Sequence, residues 1–357
     1  MKMKWLVILA VLLLAFVVKA DAQNAAHRET PITFAGAGGV MLAGTLTLPS
    51  ASGAPVPGLV LIAGSGPTDR DGNSGLGLQT DLLKQIARRL AQEGIASLRY
   101  DKRGGGGSVM SAQDEAHLAD YVAWENFVGD AVAALHSLQS QPGLDARRTG
   151  FLGHSEGGLI ALQAADQLQK EHAQSPSLLV LASTPGRTLD VVINEQLVQT
   201  LKMQGATPAQ TDYFLSKNRE IAAEIERTGV VPDDVPAGLA ALYPAYAGKF
   251  LRSIQLADPA KLAAQFPGPV LVLQGQKDVQ VSAERDAPAL KAALSSRAHG
   301  AFQVSLIPNA SHNLKSVTSE DDPGVAGPVA PEALSALCGW LHSTWKMSAS
   351  QKMSAFQ

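Results

Sequence analysis

A chain of 357 residues, 46% of them hydrophobic, can fill one large or two modest soluble domains with ample core. Its 29 Lys and Arg against 32 Asp and Glu leave a formal charge of −3, which excludes the basic surplus of a nucleic-acid-binding protein. A single cysteine, Cys338, excludes an internal disulfide, and its helical spacing from Leu334, Leu337 and Leu341 marks it as a small core residue.

Lys2 and Lys4 precede an unbroken apolar run over residues 5–18, followed by Ala20-Asp21-Ala22. A charged start, a short apolar stretch and an A-x-A site describe a secretory signal peptide over residues 1–22, cut after Ala22. The run is shorter than the roughly 20 residues a membrane-spanning helix needs. The mature protein is therefore expected to be secreted or periplasmic, with no stable membrane association, and His27, just past the cut, to be disordered. Segments 32–34 and 41–48 flank Gly36-Ala37-Gly38-Gly39 as a hairpin. The continuous apolar run 58–63 reads as a parallel strand covered on both faces. A helix over 81–93 stops at Gly94, a strand covers 95–100, and a second helix covers 121–138. Strand, tight turn and helix follow across 148–160, and another strand over 178–182.

Alternation lapses between residues 187 and 266, where Leu197, Leu201, Phe214, Ile221 and Ile225 are the apolar positions of amphipathic helices. It resumes with strands at 269–273 and 302–307 and a last helix over 331–345. The pattern predicts an α/β protein with a mostly parallel sheet flanked by helices. The core would comprise residues 23–186 and 267–346, interrupted by an inserted helical cap over 187–266 and followed by a flexible tail over 347–357.

The chemistry centres on Gly153-His154-Ser155-Glu156-Gly157, a G-x-S-x-G turn between strand and helix. Such a turn strains the serine backbone, exposes its hydroxyl above the strand ends and favours glycine two residues either way. It also puts the Glu156 N–H in the first helical turn, where backbone donors lack intrahelical partners. A serine nucleophile needs a base and a group that orients that base. Of eight histidines, His312 follows the last predicted strand, where functional groups gather in open α/β sheets. His154 adjoins Ser155, but adjacent side chains diverge in a tight turn, so only a supporting role is expected. His117, His136, His172, His299 and His342 are expected at the surface or at an interface. Asp278 directly follows strand 269–273 and is the first choice of orienting acid. Glu284 and Asp286 come next, close to a helix start where acids serve as caps.

The order Ser155, Asp278, His312 matches the α/β-hydrolase triad. Together with Gly64-Ser65-Gly66-Pro67-Thr68-Asp69-Arg70-Asp71-Gly72-Asn73, Arg99-Tyr100-Asp101-Lys102-Arg103-Gly104 and Ser311-His312-Asn313, it makes the chain resemble bacterial secreted or periplasmic α/β-hydrolases of the carboxylesterase type. The resemblance covers most of the mature chain and is weakest over 187–266. It implies the α/β-hydrolase fold and a second oxyanion donor in the loop after the third strand. That donor would be the Ser65 N–H beside that of Glu156, with Gly66 as the alternative. Ala63-Gly64 stands where many relatives carry His-Gly. Ser65 as nucleophile is the weaker reading, because it lacks flanking glycines and Pro67 follows closely.

The expected function is hydrolysis of small-molecule carboxylic esters, with short to medium acyl chains, through an acyl-enzyme and without cofactor or metal. Peptide hydrolysis, C–C or thioester cleavage and non-catalytic binding remain as rivals. Asp69-Arg70-Asp71-Gly72-Asn73 begins like a calcium loop, but Ser74 and Thr80 occupy the sixth and twelfth positions, so it reads as a turn lining the pocket mouth. Gly104-Gly105-Gly106-Gly107-Ser108 lacks the lysine of a phosphate loop and reads as a flexible turn, with Arg103 paired to a carboxylate the sequence does not identify. Tyr213, Phe214, Tyr243, Tyr246 and Phe250 could line a pocket or pack within the cap equally well. Oligomeric state is not legible.

Overall fold

Continuous apolar runs become central strands. In the computed structural model, β3 (Val56–Ile62), β4 (Ala96–Tyr100), β6 (Leu179–Ala182) and β7 (Val270–Gly275) are buried along their whole length, as parallel strands covered on both faces should be. The structure describes residues 27–347 except 51–53, 76, 112, 115, 116, 320 and 321. The expected signal peptide over 1–22 and the tail beyond residue 347 lie outside the described residues. One eight-stranded sheet runs in the order β1 (His27–Ala35), β2 (Met41–Pro49), β4, β3, β5 (Leu144–His154), β6, β7, β8 (Phe302–Ile307). β1 and β2 form the antiparallel hairpin, with Phe34 opposite Leu42. β2 also meets β4 antiparallel, and every later pairing, through β5 to β8, is parallel. This is the mostly parallel, helix-flanked sheet the sequence predicted.

Helices cover both faces. α1 (Leu82–Gln92) packs on one face with the C-terminal helix Pro331–Thr344, around Leu59, Leu61, Leu152, Val180 and Leu271. On the other face, α2 (Leu118–Tyr121) precedes α3 (Trp124–Gln139) and α4 (Glu156–Lys170). There α3, α4 and helix Asp286–Ser295 bury Val60, Ile62, Phe151, Leu181 and Val272. Cys338 is buried, and burial pushes its thiol up to about 11.

Between β6 and β7 stand α5 (Leu189–Met203), α6 (Pro208–Thr228), α7 (Gly248–Gln255) and α8 (Pro259–Gln265). The start of α6 is specified locally. Thr207 and Gln210 form a reciprocal capping box, Pro208 takes the first helical position, and Gly229 ends the helix with φ 71°. Leu197, Leu201, Ile221, Ile225, Leu239 and Leu251 give this segment its own small core. Ala263 of α8 and Phe266 just after it belong instead to the main core beneath the sheet.

Three local expectations change. The helix expected over 121–138 is two pieces, because Ala123 is extended (φ −55°, ψ 139°) and side chains take the preceding carbonyls. Arg103 Nη1 donates to the Tyr121 carbonyl at 2.9 Å and Asn126 Nδ2 to that of Asp120 at 2.7 Å. His27, expected to be disordered, opens β1 opposite Pro49. His342 is buried rather than superficial, with Nε2 3.2 Å from the Glu93 carbonyl. The carboxylate paired with Arg103 is Asp130 on α3. Nε and Nη2 reach its two oxygens at 2.8 and 2.7 Å, in a pair almost wholly shielded from water.

Candidate active site

Ser155 joins β5 to α4 with φ 54° and ψ −123°, a conformation a residue with a side chain adopts only when its surroundings enforce it. A Cβ at Gly153 would overlap the Gly157 carbonyl, one at Gly157 would overlap that of Ile62, and one at Gly158 would meet the Thr184 hydroxyl. The three glycines are therefore steric requirements of the turn. The Ser155 N–H donates to Ala182 at 2.8 Å, tying the turn to the end of β6.

His312 lies beyond β8 and Asp278 beyond β7, each at a carboxyl end of the sheet, and His312 Nδ1 lies 2.8 Å from Asp278 Oδ2. A carboxylate acceptor places the proton on Nδ1 and leaves Nε2 as the basic nitrogen. Asp278 is held on every side. The Gln280 and Val281 amides donate to Oδ1 at 2.8 and 2.9 Å, and Gln274 Nε2 donates to Oδ2 at 2.8 Å. Burial pushes its pKa up, but the His312 hydrogen bond and charge and the backbone donors outweigh this and hold it below the ordinary aspartate value. The alternative acids are elsewhere. Glu284 is exposed, while Asp286 accepts from the Ser282 and Gly186 amides at 3.0 Å and pairs with Arg187 at 2.8 Å.

Ser155 and His312 line one cavity of about 140 Å³, together with Gly64, Ser65, His154 and Asn313. His154 does more than diverge from Ser155. Its ring lies 4.9 Å from that of His312, and Nε2 is 2.9 Å from the His312 carbonyl. Burial, reinforced by repulsion from His312, lowers its pKa to about 3, so the ring is neutral and its Nε2–H donates. None of the other six histidines lines this cavity.

The loop after β3 is held by a residue that sequence reasoning left unassigned. Lys102 Nζ donates to the Gly64 carbonyl at 2.8 Å and to Glu156 Oε1 at 2.6 Å, over the Phe127 ring. The Gly64 carbonyl and the Ser65 N–H belong to one planar trans peptide, so holding the oxygen toward Lys102 turns the N–H the opposite way. The cue was a lysine just after a strand in an otherwise buried motif, but its partners are 38 and 54 residues away.

The Asp69–Asn73 segment reaches the small cavity through Gly72, and its polar groups are engaged by the protein. Arg70 pairs with Asp101, Asp71 with Arg99, and Asn73 Oδ1 accepts from the Thr80 and Asp81 amides at 2.8 Å. The glycine run after β4 is pinned as well, with the Gly107 N–H donating to Asp101 at 2.7 Å and Ser108 Oγ to the Asp101 carbonyl at 2.8 Å. A second cavity, of about 500 Å³, meets the first at Ser65 and runs on past Glu156 to Tyr246 and Phe250. Of the other aromatics, Phe214 and Tyr243 pack in the core of the 187–266 segment, and Tyr213 is half exposed.

With this geometry in view, comparison with known proteins is decisive at the level of family. A family model described as serine aminopeptidase, S33, matches residues 73–316. The chain belongs to this family of α/β-hydrolases. Esterase EstD of Thermotoga maritima is 28% identical over 245 residues, 69% of this chain and 52% of the relative. The chain thus spans about half the length of that curated relative. Solved structures share the fold at low identity. A puromycin-hydrolyzing peptidase from Mycobacterium tuberculosis is 18% identical, with a TM-score of 0.55 over 90% of this chain and 40% of that one. The Pyrococcus furiosus esterase Pf2001 is 14% identical, with a TM-score of 0.53 over 90% of this chain and 93% of its own. Among the described residues of this α/β-hydrolase, no helix is long and apolar enough to cross a membrane.

Proposed function

We propose that the protein is a serine hydrolase that cleaves small-molecule carboxylic esters, of short to medium acyl chain, through an acyl-enzyme. The observation that carries this is a strained serine turn sharing one cavity with an imidazole whose far nitrogen is bonded to a buried carboxylate. His312 Nε2 takes the Ser155 proton as Oγ attacks the ester carbonyl, and Asp278 stabilises the imidazolium. The Glu156 and Ser65 amides hold the oxyanion, a contribution whose loss typically costs about 10²–10³ in turnover. Collapse breaks the C–O bond, and His312 returns the proton to the departing alcohol. Water then attacks the acyl-enzyme with the same base, releasing acid and regenerating Ser155. The reaction as written needs no cofactor.

In this reading the 187–266 segment acts as a cap that presents Tyr246 and Phe250 to the larger cavity. The apolar stretch and Ala-x-Ala site of the N-terminal segment support export, which N-terminal sequencing of the protein purified from its source would test. The resemblance to EstD favours esters, whereas the family description and the peptidase relative favour peptide hydrolysis as the second reading. Turnover of p-nitrophenyl butyrate, compared with that of leucine p-nitroanilide, decides between them. Faster cleavage of the anilide would overturn the ester assignment.

A further inference from the structure

The two cavities differ in size and in which part of the site they touch. In any acyl transfer at Ser155, the leaving oxygen must come within reach of His312 to be protonated. The leaving group therefore occupies the small cavity, which His312, Asn313 and Gln280 line. The acyl substituent projects from the other side of the carbonyl carbon, past Ser65 and Glu156, where the larger cavity begins. Its walls are Met110, Leu118, Val122, Phe127, Tyr246 and Phe250.

Charge narrows the occupant further. Glu156 is the one carboxylate among the described lining residues, and it is already paired with Lys102 at 2.6 Å. Arg103, also at the wall, is satisfied by Asp130. An aminoacyl substrate would bring its α-ammonium to this side, where it would lose water without gaining a free counter-ion. On the strength of the ester-hydrolase reading, we infer that the cavity beyond Glu156 is an acyl chamber for neutral, apolar acyl groups, and that the Lys102–Glu156 pair excludes aminoacyl substrates by occupying the carboxylate an ammonium would need. Lys102 is thus a specificity-determining residue as well as the anchor of the Gly64–Ser65 peptide.

A matched pair of substrates tests this without reference to absolute rate. Leucine methyl ester and methyl 4-methylpentanoate differ only in the α-amino group, which is mostly ammonium at pH 7.0 given a reference pKa of about 7.7–8. With about a tenth to a sixth of the leucine ester present as free amine at that pH, exclusion of the ammonium form should make the full chain prefer the neutral ester by about 5–10-fold in kcat/KM. Lys102→Met frees Glu156 toward the chamber and should bring that ratio close to one, even though loosening of the Gly64–Ser65 peptide slows both substrates. Lys102→Met with Glu156→Gln should restore it. Phe250→Trp, which leaves the ion pair alone, should move the best straight-chain ester toward shorter acyl groups. Equal or better turnover of the leucine ester by the unmodified protein overturns the inference while leaving ester hydrolysis standing. A ratio unmoved in folded Lys102→Met overturns the role of Lys102. Failure to cleave either ester, or any p-nitrophenyl ester, removes the parent proposal together with the inference.

Discussion

His154 offers a prediction whose size follows directly from the structure. The ring is buried and neutral in the folded protein, with a pKa lowered to about 3 against an ordinary 6.5. Above pH 6.5 neither state binds the proton, so His154 adds no pH dependence there. Below it, the unfolded chain takes up a proton that the native protein refuses until about pH 3, so stability falls with falling pH across that window. Between pH 7.5 and 4.5 this amounts to about 2.7 kcal/mol, two pH units below the unfolded pKa at about 1.36 kcal/mol each. His154→Gln removes the titration and retains an N–H donor for the His312 carbonyl. Urea unfolding of both proteins at the two pH values gives a double difference in which the other titrating groups cancel. The variant should lose about 2–3 kcal/mol less on acidification. Equal losses in the two proteins would mean that His154 is not the neutral donor holding the His312 loop.

The remaining predictions concern the acid, the turn and the buried ion pair. Asp278→Asn should cut esterase kcat by about 10⁴, because the amide favours the wrong imidazole tautomer, whereas Glu284→Gln should leave kcat within a few-fold. The reverse pattern in steady-state kinetics would show the acid to be misassigned. Gly158→Ala should lower the melting temperature through its clash with the Thr184 side chain, whose Cβ is itself too close, and adding Thr184→Gly should recover most of the loss. No recovery in the double variant would refute the steric account. Arg103→Met strands the buried Asp130 carboxylate and should cost about 3–5 kcal/mol in denaturant unfolding. A loss under 1 kcal/mol would indicate that water reaches the pair.

What the sequence made legible was what local pattern controls. The run 270–273 is apolar because β7 is covered on both faces, and the glycines around Ser155 are dictated by a turn that leaves no room for a Cβ. Asp278 was preferred over Glu284 and Asp286 because it directly follows a strand, and it is the acid bonded to His312. What stayed hidden depends on contacts distant in sequence. The chain between Lys102 and Gly64, or between His154 and the His312 carbonyl, carries no sign that these groups meet. The break in the helix near residue 122 was equally invisible, since Arg103 and Asn126 cap those carbonyls only in the folded chain. Phe266 and Ala263 read as part of an amphipathic insertion, yet they bury against the main core.

The proposed mechanism rests on Ser155 as nucleophile, activated by His312 and Asp278. The most direct test is to treat the native protein with a fluorophosphonate probe and map the adduct by peptide mass spectrometry, with Ser155→Ala as control. One stoichiometric adduct on Ser155 is expected, with loss of esterase turnover in step with labelling and no labelling of the folded variant. An adduct on Ser65, or an unlabelled Ser155 in protein that still cleaves esters, would contradict that mechanism.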